Sequence, residues 1–138
     1  MAQTPVFSND TSGIYKTIVN SNSTNWIDLV DNTAGTKAIR IESLFALSDE
    51  ESPTNHVVQL SLYIGTVNYL IGSVNIISLS GTNGTAPRIN ILNTLGEIDR
   101  DAMYVIWVPA GSKIQVKSLT QITIAKTLTL IGRYRTYV

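Results

Sequence analysis

The sequence predicts an all-β protein: a single-domain antiparallel β-sandwich, jelly-roll-like, of about eight or nine strands, with an extended N-terminal arm. Three observations predict it. Isoleucine occurs 17 times and threonine 16 times in 138 residues, and β-branched side chains fit a pleated surface better than a helix. Serine (13) and asparagine (11) supply much of the polar surface while charged residues make up only 14%, and both favour turns over helix interiors. Short apolar-alternating runs recur at spacings of about 8–12 residues, separated by turn residues.

Residues 1–12 lack periodicity and contain Pro5, which reads as an arm that becomes ordered against a neighbour, with Val6 and Phe7 as its contact residues. The sandwich domain occupies residues 13–138. Ile14–Val19 and Trp26–Val30 read as strands joined across Asn20–Ser23 in a hairpin connection. Asp31–Gly35 is a turn. Ala38–Leu47 follows, with Ile39 and Ile41 alternating against Arg40 and Glu42. Asp49–Pro53 breaks this strand, and its acids Asp49, Glu50 and Glu51 read as an exposed turn. His56–Ile64 places Val58, Leu60, Leu62 and Ile64 on one face. Gly65–Asn68 turns into Tyr69–Ile77, and Gly81–Thr85 is a flexible loop. Arg88–Leu92, Met103–Val108, Lys113–Leu119 and Thr127–Tyr137 complete the series, with Leu95–Asp101 and Pro109–Ser112 as connections. No long segment repeats at helical period, so any helix is a single short turn.

Composition closes many routes to chemistry. The absence of cysteine excludes disulfides, thiolate nucleophiles and thiolate metal sites. One histidine, His56, excludes a site needing two imidazoles from one chain. Ten basic and ten acidic residues give zero net charge, which argues against bulk attraction to nucleic acid or an anionic membrane. The N-terminus has no basic region followed by an apolar run, so the expectation is a soluble product made in the cytoplasm, with the sequons at Asn9, Asn22 and Asn83 arising from composition.

The remaining candidates each have a plainer reading. Glu97, Asp99 and Asp101 present three carboxylates at alternate positions, the raw material of a hydrolase or a calcium site. Arg100 sits among them and the calcium-loop glycine spacing is missing, so a solvated connection is expected. His56 opens an apolar strand, and no nucleophile elbow is present to complete a triad. The glycines of Gly81–Thr85 lack the Gly-Lys-Ser/Thr ending of a phosphate loop. Trp26 and Trp107 lie in strand-like segments, where core packing is the default and sugar stacking the alternative. Arg133, Tyr134, Arg135 and Tyr137 are an expected subunit contact, because Arg and Tyr combine apolar area with directed hydrogen bonds.

The ordered series Thr24–Val30, Lys37–Ser43, Val58–Leu60, Tyr69–Gly72, Ile91–Asn93, Trp107–Ile114 and Ala125–Thr127 resembles small tailed-phage virion proteins of the head-decoration or capsid-cement type. The resemblance spans most of residues 24–132. It implies a non-enzymatic structural protein on the capsid surface, binding the major capsid protein, self-associating as a homotrimer, and using no cofactor, metal, small-molecule substrate, nucleic acid or membrane. Family members end in a Gly-rich acidic tail, whereas this chain ends Arg133-Tyr134-Arg135-Thr136-Tyr137-Val138. The alternative is a carbohydrate- or receptor-binding sandwich of a phage tail or spike.

Overall fold

The computed structural model describes residues 11–82, 86–99 and 101–137. Val6 and Phe7 lie outside the described residues. The described chain forms β1 (Ser12–Ile18), β2 (Ile27–Asp31), β3 (Ile39–Ser48), β4 (His56–Ile64), β5 (Val67–Ile76), β6 (Ile89–Asn90), α1 (Leu92–Leu95), β7 (Glu97–Ile98), β8 (Tyr104–Val108), β9 (Ser112–Ser118) and β10 (Leu128–Thr136). One sheet runs β1-β10-β3-β8-β7, with β6 also pairing β3, and the other runs β2-β9-β4-β5. Apart from the two-residue strands β6 and β7, this is the strand order of a jelly roll.

The core lies between the sheets. Ile14 and Ile18 of β1, Ile41, Leu44 and Ala46 of β3, and Leu128 and Leu130 of β10 face Val58 and Leu60 of β4 and Ile114 and Val116 of β9. Each fully buried Ile or Leu contributes roughly 1.5–3 kcal/mol relative to exposure. Aliphatic residues on alternate positions therefore commit each strand to one face.

That alternation changes phase in β3. Ile39 and Ile41 are buried, then Leu44 and Ala46, a switch from odd to even positions. Pairing explains it: Arg133 lies opposite Ser43 while Tyr134 lies opposite Ile41, leaving Glu42 as an extra residue. A one-residue bulge of this kind re-aims the side chains that follow it. Similar shifts leave Ile71 unpaired in β5 and Leu29 unpaired in β2. Gly132 sits beside the β3 bulge, where an added Cβ would fall 2.0 Å from the Ser43 carbonyl oxygen.

The architecture expected from the sequence is present, with three local corrections. The described residues form ten strands, because the connection Leu95–Asp101 contributes β7. The expected strand Arg88–Leu92 shortens to β6: Ile91 N–H bonds Leu44 O, and the chain then turns into α1, where Asn93 N–H donates to Asn90 Oδ1. Asn20–Ser23 is not a hairpin connection. Residues Asn20–Asn22 form a 3-10 turn that carries the chain from β1 in one sheet to β2 in the other.

Gly132→Ala is expected to destabilise the fold by about 2–3 kcal/mol or more, since backbone rather than a movable side chain blocks the methyl group. Gly13→Ala, where nothing lies within 4 Å of the added Cβ, should stay within about 0.5 kcal/mol. Urea denaturation of both variants checks the contrast.

Candidate functional site

Two clusters of polar residues with catalytic potential are centred on buried side chains, His56 with Glu50 and Arg40 with Glu42. In the first, His56 and Glu50 are only 2% and 1% exposed, and His56 Nε2 lies 2.6 Å from Glu50 Oε2. Thr123 Oγ1 donates to the same carboxylate oxygen at 2.9 Å. The other ring nitrogen, Nδ1, has Thr120 Oγ1 at 2.9 Å and Ser118 Oγ at 3.3 Å. This corrects the reading of Asp49–Glu51 as an exposed turn. Glu50 folds inward because the imidazole at the start of β4 and the Thr123 hydroxyl supply the partners that a buried carboxylate requires.

Ser118, His56 and Glu50 share the residue types of an acyl-transfer triad but not its arrangement. The Ser118 hydroxyl donates to Thr120 O at 2.7 Å, and Ser118 is itself buried in β9. The hollows bordered by Leu62 and Trp107, by Asn90 and Tyr104, and by Phe45 and Arg133 include none of these side chains. The cluster ties the loop after β3 to the loop after β9. Burial opposes ionisation of Glu50, but the hydrogen bonds from His56 and Thr123 outweigh it and hold the carboxyl below its ordinary value of 4.5.

The second cluster surrounds Arg40 of β3. Its guanidinium bonds Glu42 Oε2 at 2.7 Å, Asp99 Oδ2 at 2.9 Å and Asp101 Oδ2 at 3.2 Å. Arg135 Nε approaches the second Glu42 oxygen at 2.8 Å, but its N–H is not aligned for a hydrogen bond, so the contact is Coulombic. Burial opposes the Arg40 charge, while Glu42, Asp101 and Asp99 raise its pKa above the ordinary arginine value. Asp99 and Asp101 converge as their alternate spacing allows, but on a cation. Glu97 takes no part and stays exposed. Asp99 is buried against Arg40, which corrects the expectation of a wholly solvated connection. Among the described residues, no group of three His, Asp or Glu side chains is arranged to hold a metal ion.

The C-terminal candidates separate. Tyr134 turns inward and packs against the core. Arg135 joins the Glu42 contact, and Tyr137 stacks on Trp107 with ring centroids 5.7 Å apart. Arg133 alone remains exposed. It borders a shallow hollow of about 460 Å³ with Ser43, Phe45, Arg88, Ile131 and Gly132. The Arg88 guanidinium lies over the Phe45 ring, 3.8 Å from its centroid. Cross-strand pairing extends this face into an outward row of Tyr15, Ile131 and Phe45, with Tyr15 76% exposed.

Neither tryptophan belongs to the core, contrary to the default reading. Trp26 precedes β2 and lies under Lys117 Nζ at 4.6 Å, while Trp107 is half-buried on β8. Each ring therefore has a neighbour of this chain on it. The outer face of the four-stranded sheet carries polar groups that satisfy one another: Asn68 Nδ2 donates to Ser61 Oγ and Gln115 Oε1, both at 2.7 Å, and Gln115 Nε2 donates to Asp28 Oδ1 at 2.9 Å.

Exposed apolar area collects elsewhere, at the β4–β5 hairpin end. Ile64 and Val67 are exposed there together with Tyr69 (57%) and Leu70 (60%). Sequence reading placed these residues in strands and assigned them no role. The available signal was the run Tyr69-Leu70-Ile71, which breaks the alternation of a strand with one wet face. No protein-family model matches the chain, and no curated protein matches it.

Two outcomes follow from the buried clusters. Glu50→Ala is expected to cost about 3 kcal/mol at neutral pH, because it leaves His56 buried without its carboxylate. The lowered folded-state pKa means the ionised Glu50 contribution is full above 4.5 and fades as pH falls through the lower folded value. Glu50→Gln should therefore be less stable than wild type at neutral pH, with the gap closing in acid, as read by denaturation across pH. Arg40→Met should cost about 3–5 kcal/mol by stranding the buried carboxylates of Glu42 and Asp99, measurable in the same assay.

Proposed function

We propose that this protein is a non-enzymatic structural component of a phage virion, which decorates and stabilises the capsid by binding the lattice of the major capsid protein. The observation that carries an assembly role is the β4–β5 hairpin end. Ile64 and its cross-strand partner Val67, with Tyr69 two residues further along the same face, are large, apolar and exposed, and exposed apolar surface of this kind marks interaction sites. The virion assignment rests on the sequence resemblance. The neutral overall charge suits close packing of many copies, where a strong field of one sign would repel neighbours. Repetition on a lattice lets a modest contact hold each copy firmly.

The buried polar clusters support the non-enzymatic part of the reading. His56 and Glu50 engage each other together with Thr120 and Thr123, and the Glu42 carboxylate, which borders a hollow, is held by Arg40. Carbohydrate or receptor binding on a tail or spike remains the competing reading. It asks for an open tryptophan face, whereas Lys117 and Tyr137 each occupy one ring face here.

Cryo-electron microscopy of the native phage particle tests the assignment. The expected result is density of this fold at regular positions on the head, with the β4–β5 hairpin against the major capsid protein. Density confined to the tail, or its absence from the particle, overturns it. Replacing both Tyr69 and Leu70 by serine should leave folding stability within about 0.5 kcal/mol per exposed site and reduce capsid occupancy at least about tenfold. Deletion of residues 2–10, which stops short of β1 at Ser12, should weaken capsid binding and leave the fold intact. Undiminished decoration by the truncated chain excludes the segment around Val6 and Phe7 as a contact.

A further inference from the structure

We infer that the hollow between Leu62, Leu95 and Glu97 is a subsite for an aliphatic ammonium group, the side chain of a lysine on a partner protein. That the partner is the protein covering the β4–β5 hairpin rests on the assembly reading above, whereas the subsite rests on geometry and charge alone.

The hollow opens between the two sheets and has a volume of about 270 Å³. Leu62 of β4 and Ile71 of β5 line one side, and Leu95 of α1 and Ile106 of β8 line the other. Two local features shape it. Ile71 is the extra residue of the β5 bulge, and a bulge re-aims the side chain it carries. Gly72 makes room for Leu95, since an added Cβ there would fall 2.5 Å from Leu95 Cδ2. Tyr69 lies opposite Leu62, so the exposed face of Ile64, Val67 and Tyr69 continues into the hollow.

One charged group borders this apolar lining, the carboxylate of Glu97. Glu97 pairs with Val105 across β7 and β8, and both line the hollow. Among the described acids, Glu97 alone has neither an ion pair nor a hydrogen bond to a described residue. Arg40 takes Glu42, Asp99 and Asp101, while Lys113, Lys126 and His56 take Asp28, Glu51 and Glu50. Asp31 and Asp49, which lack a cation, accept hydrogen bonds from the Thr33 and Thr127 N–H groups.

An apolar floor with a hydrated carboxylate at its rim selects the ligand. Lysine lays its aliphatic stem along apolar surface and keeps its compact ammonium in water. Here the stem covers Leu62, Ile71 and Leu95, and the ammonium meets Glu97 where both stay hydrated. Glu97 repels an anionic side chain. A purely apolar one would strip water from the carboxylate without replacing it.

NMR titration of the isotope-labelled full-length chain with n-alkylammonium ions, as probes of the lysine side chain, tests the subsite. Hexylammonium is expected to move the amide signals of Leu62, Ile71, Leu95 and Glu97. Binding should tighten about twofold or more per methylene from propyl- to hexylammonium, and hexanoate should leave these signals in place. Glu97→Gln should weaken hexylammonium binding at least about threefold, and Glu97→Lys should reverse the preference toward hexanoate. Glu97 is exposed, so both variants should fold, as unchanged dispersion of the spectrum reports. Shifts scattered over other acids, no dependence on chain length, or undiminished binding by folded Glu97→Gln overturns the subsite. On the phage head, Glu97→Lys should lower occupancy at least about threefold, and full occupancy overturns the assignment of the lysine to the capsid. Wild-type decoration of the head without hexylammonium binding sinks the subsite and leaves the virion assignment standing, so the two failures are distinguishable.

Discussion

The pairing of β3 with β10 across the extra residue Glu42 is the constraint on which the rest of the structure depends. β3 is bonded to β10, β8 and β6, and β10 in turn carries β1. Without the bulge, a strand that buries Ile39 and Ile41 would point Leu44 and Ala46 at solvent. With it, both pairs reach the core. Gly132 is part of the same feature, since only a residue without Cβ fits against the Ser43 carbonyl. The bulge also places Glu42 beside Arg40 and Arg135. One inserted residue thus joins the phase of the core to the ionic cluster on the outer face.

That cluster determines which charges remain available. Arg40 draws in Glu42, Asp99 and Asp101, and the loop between β7 and β8 is fixed to β3 as a result. At the opposite end of β3, His56 and Glu50 close the loops around β4 and β9 through Thr120 and Thr123. Buried ionic pairs add little net stability against an apolar alternative, but removing one partner is costly. Their effect here is positional: two irregular connections are held in place by partners that only one geometry satisfies.

Much of the strand layout was legible because apolar alternation is a local signal. His56–Ile64 is found with the same bounds in the structure, and β1, β3, β9 and β10 lie within a residue or two of expectation. The phase change in β3 was legible in principle, since Ile41-Glu42-Ser43-Leu44 places two polar residues between apolar ones. The pairing of Arg40 with Asp99 was not, because only the sheet order brings β3 and the β7–β8 connection together, and that of Glu50 with His56, though six residues apart, depends on the path of the loop between β3 and β4. Short elements also escaped: β7 is two residues long, too short for any period to show. The RYRTY ending was visible as a cluster, but strand alternation and the half-buried Trp107 divide its members among core, ion pair, ring stack and solvent.

The division of charges bears on what kind of partner the molecule can meet. Pairing within the chain leaves the outer polar face of the four-stranded sheet largely self-satisfied, through Asn68, Gln115 and Asp28. A partner there would have to break existing hydrogen bonds and replace them, for little net gain. The hairpin end and the arginine hollow differ in this respect. The first offers apolar area that loses only water on contact, and the second offers two cations with no carboxylate among the described residues. These surfaces lie on different elements and call for different complements, so occupation of one does not by itself satisfy the other. Either surface can therefore be covered without breaking a hydrogen bond that the described residues already make.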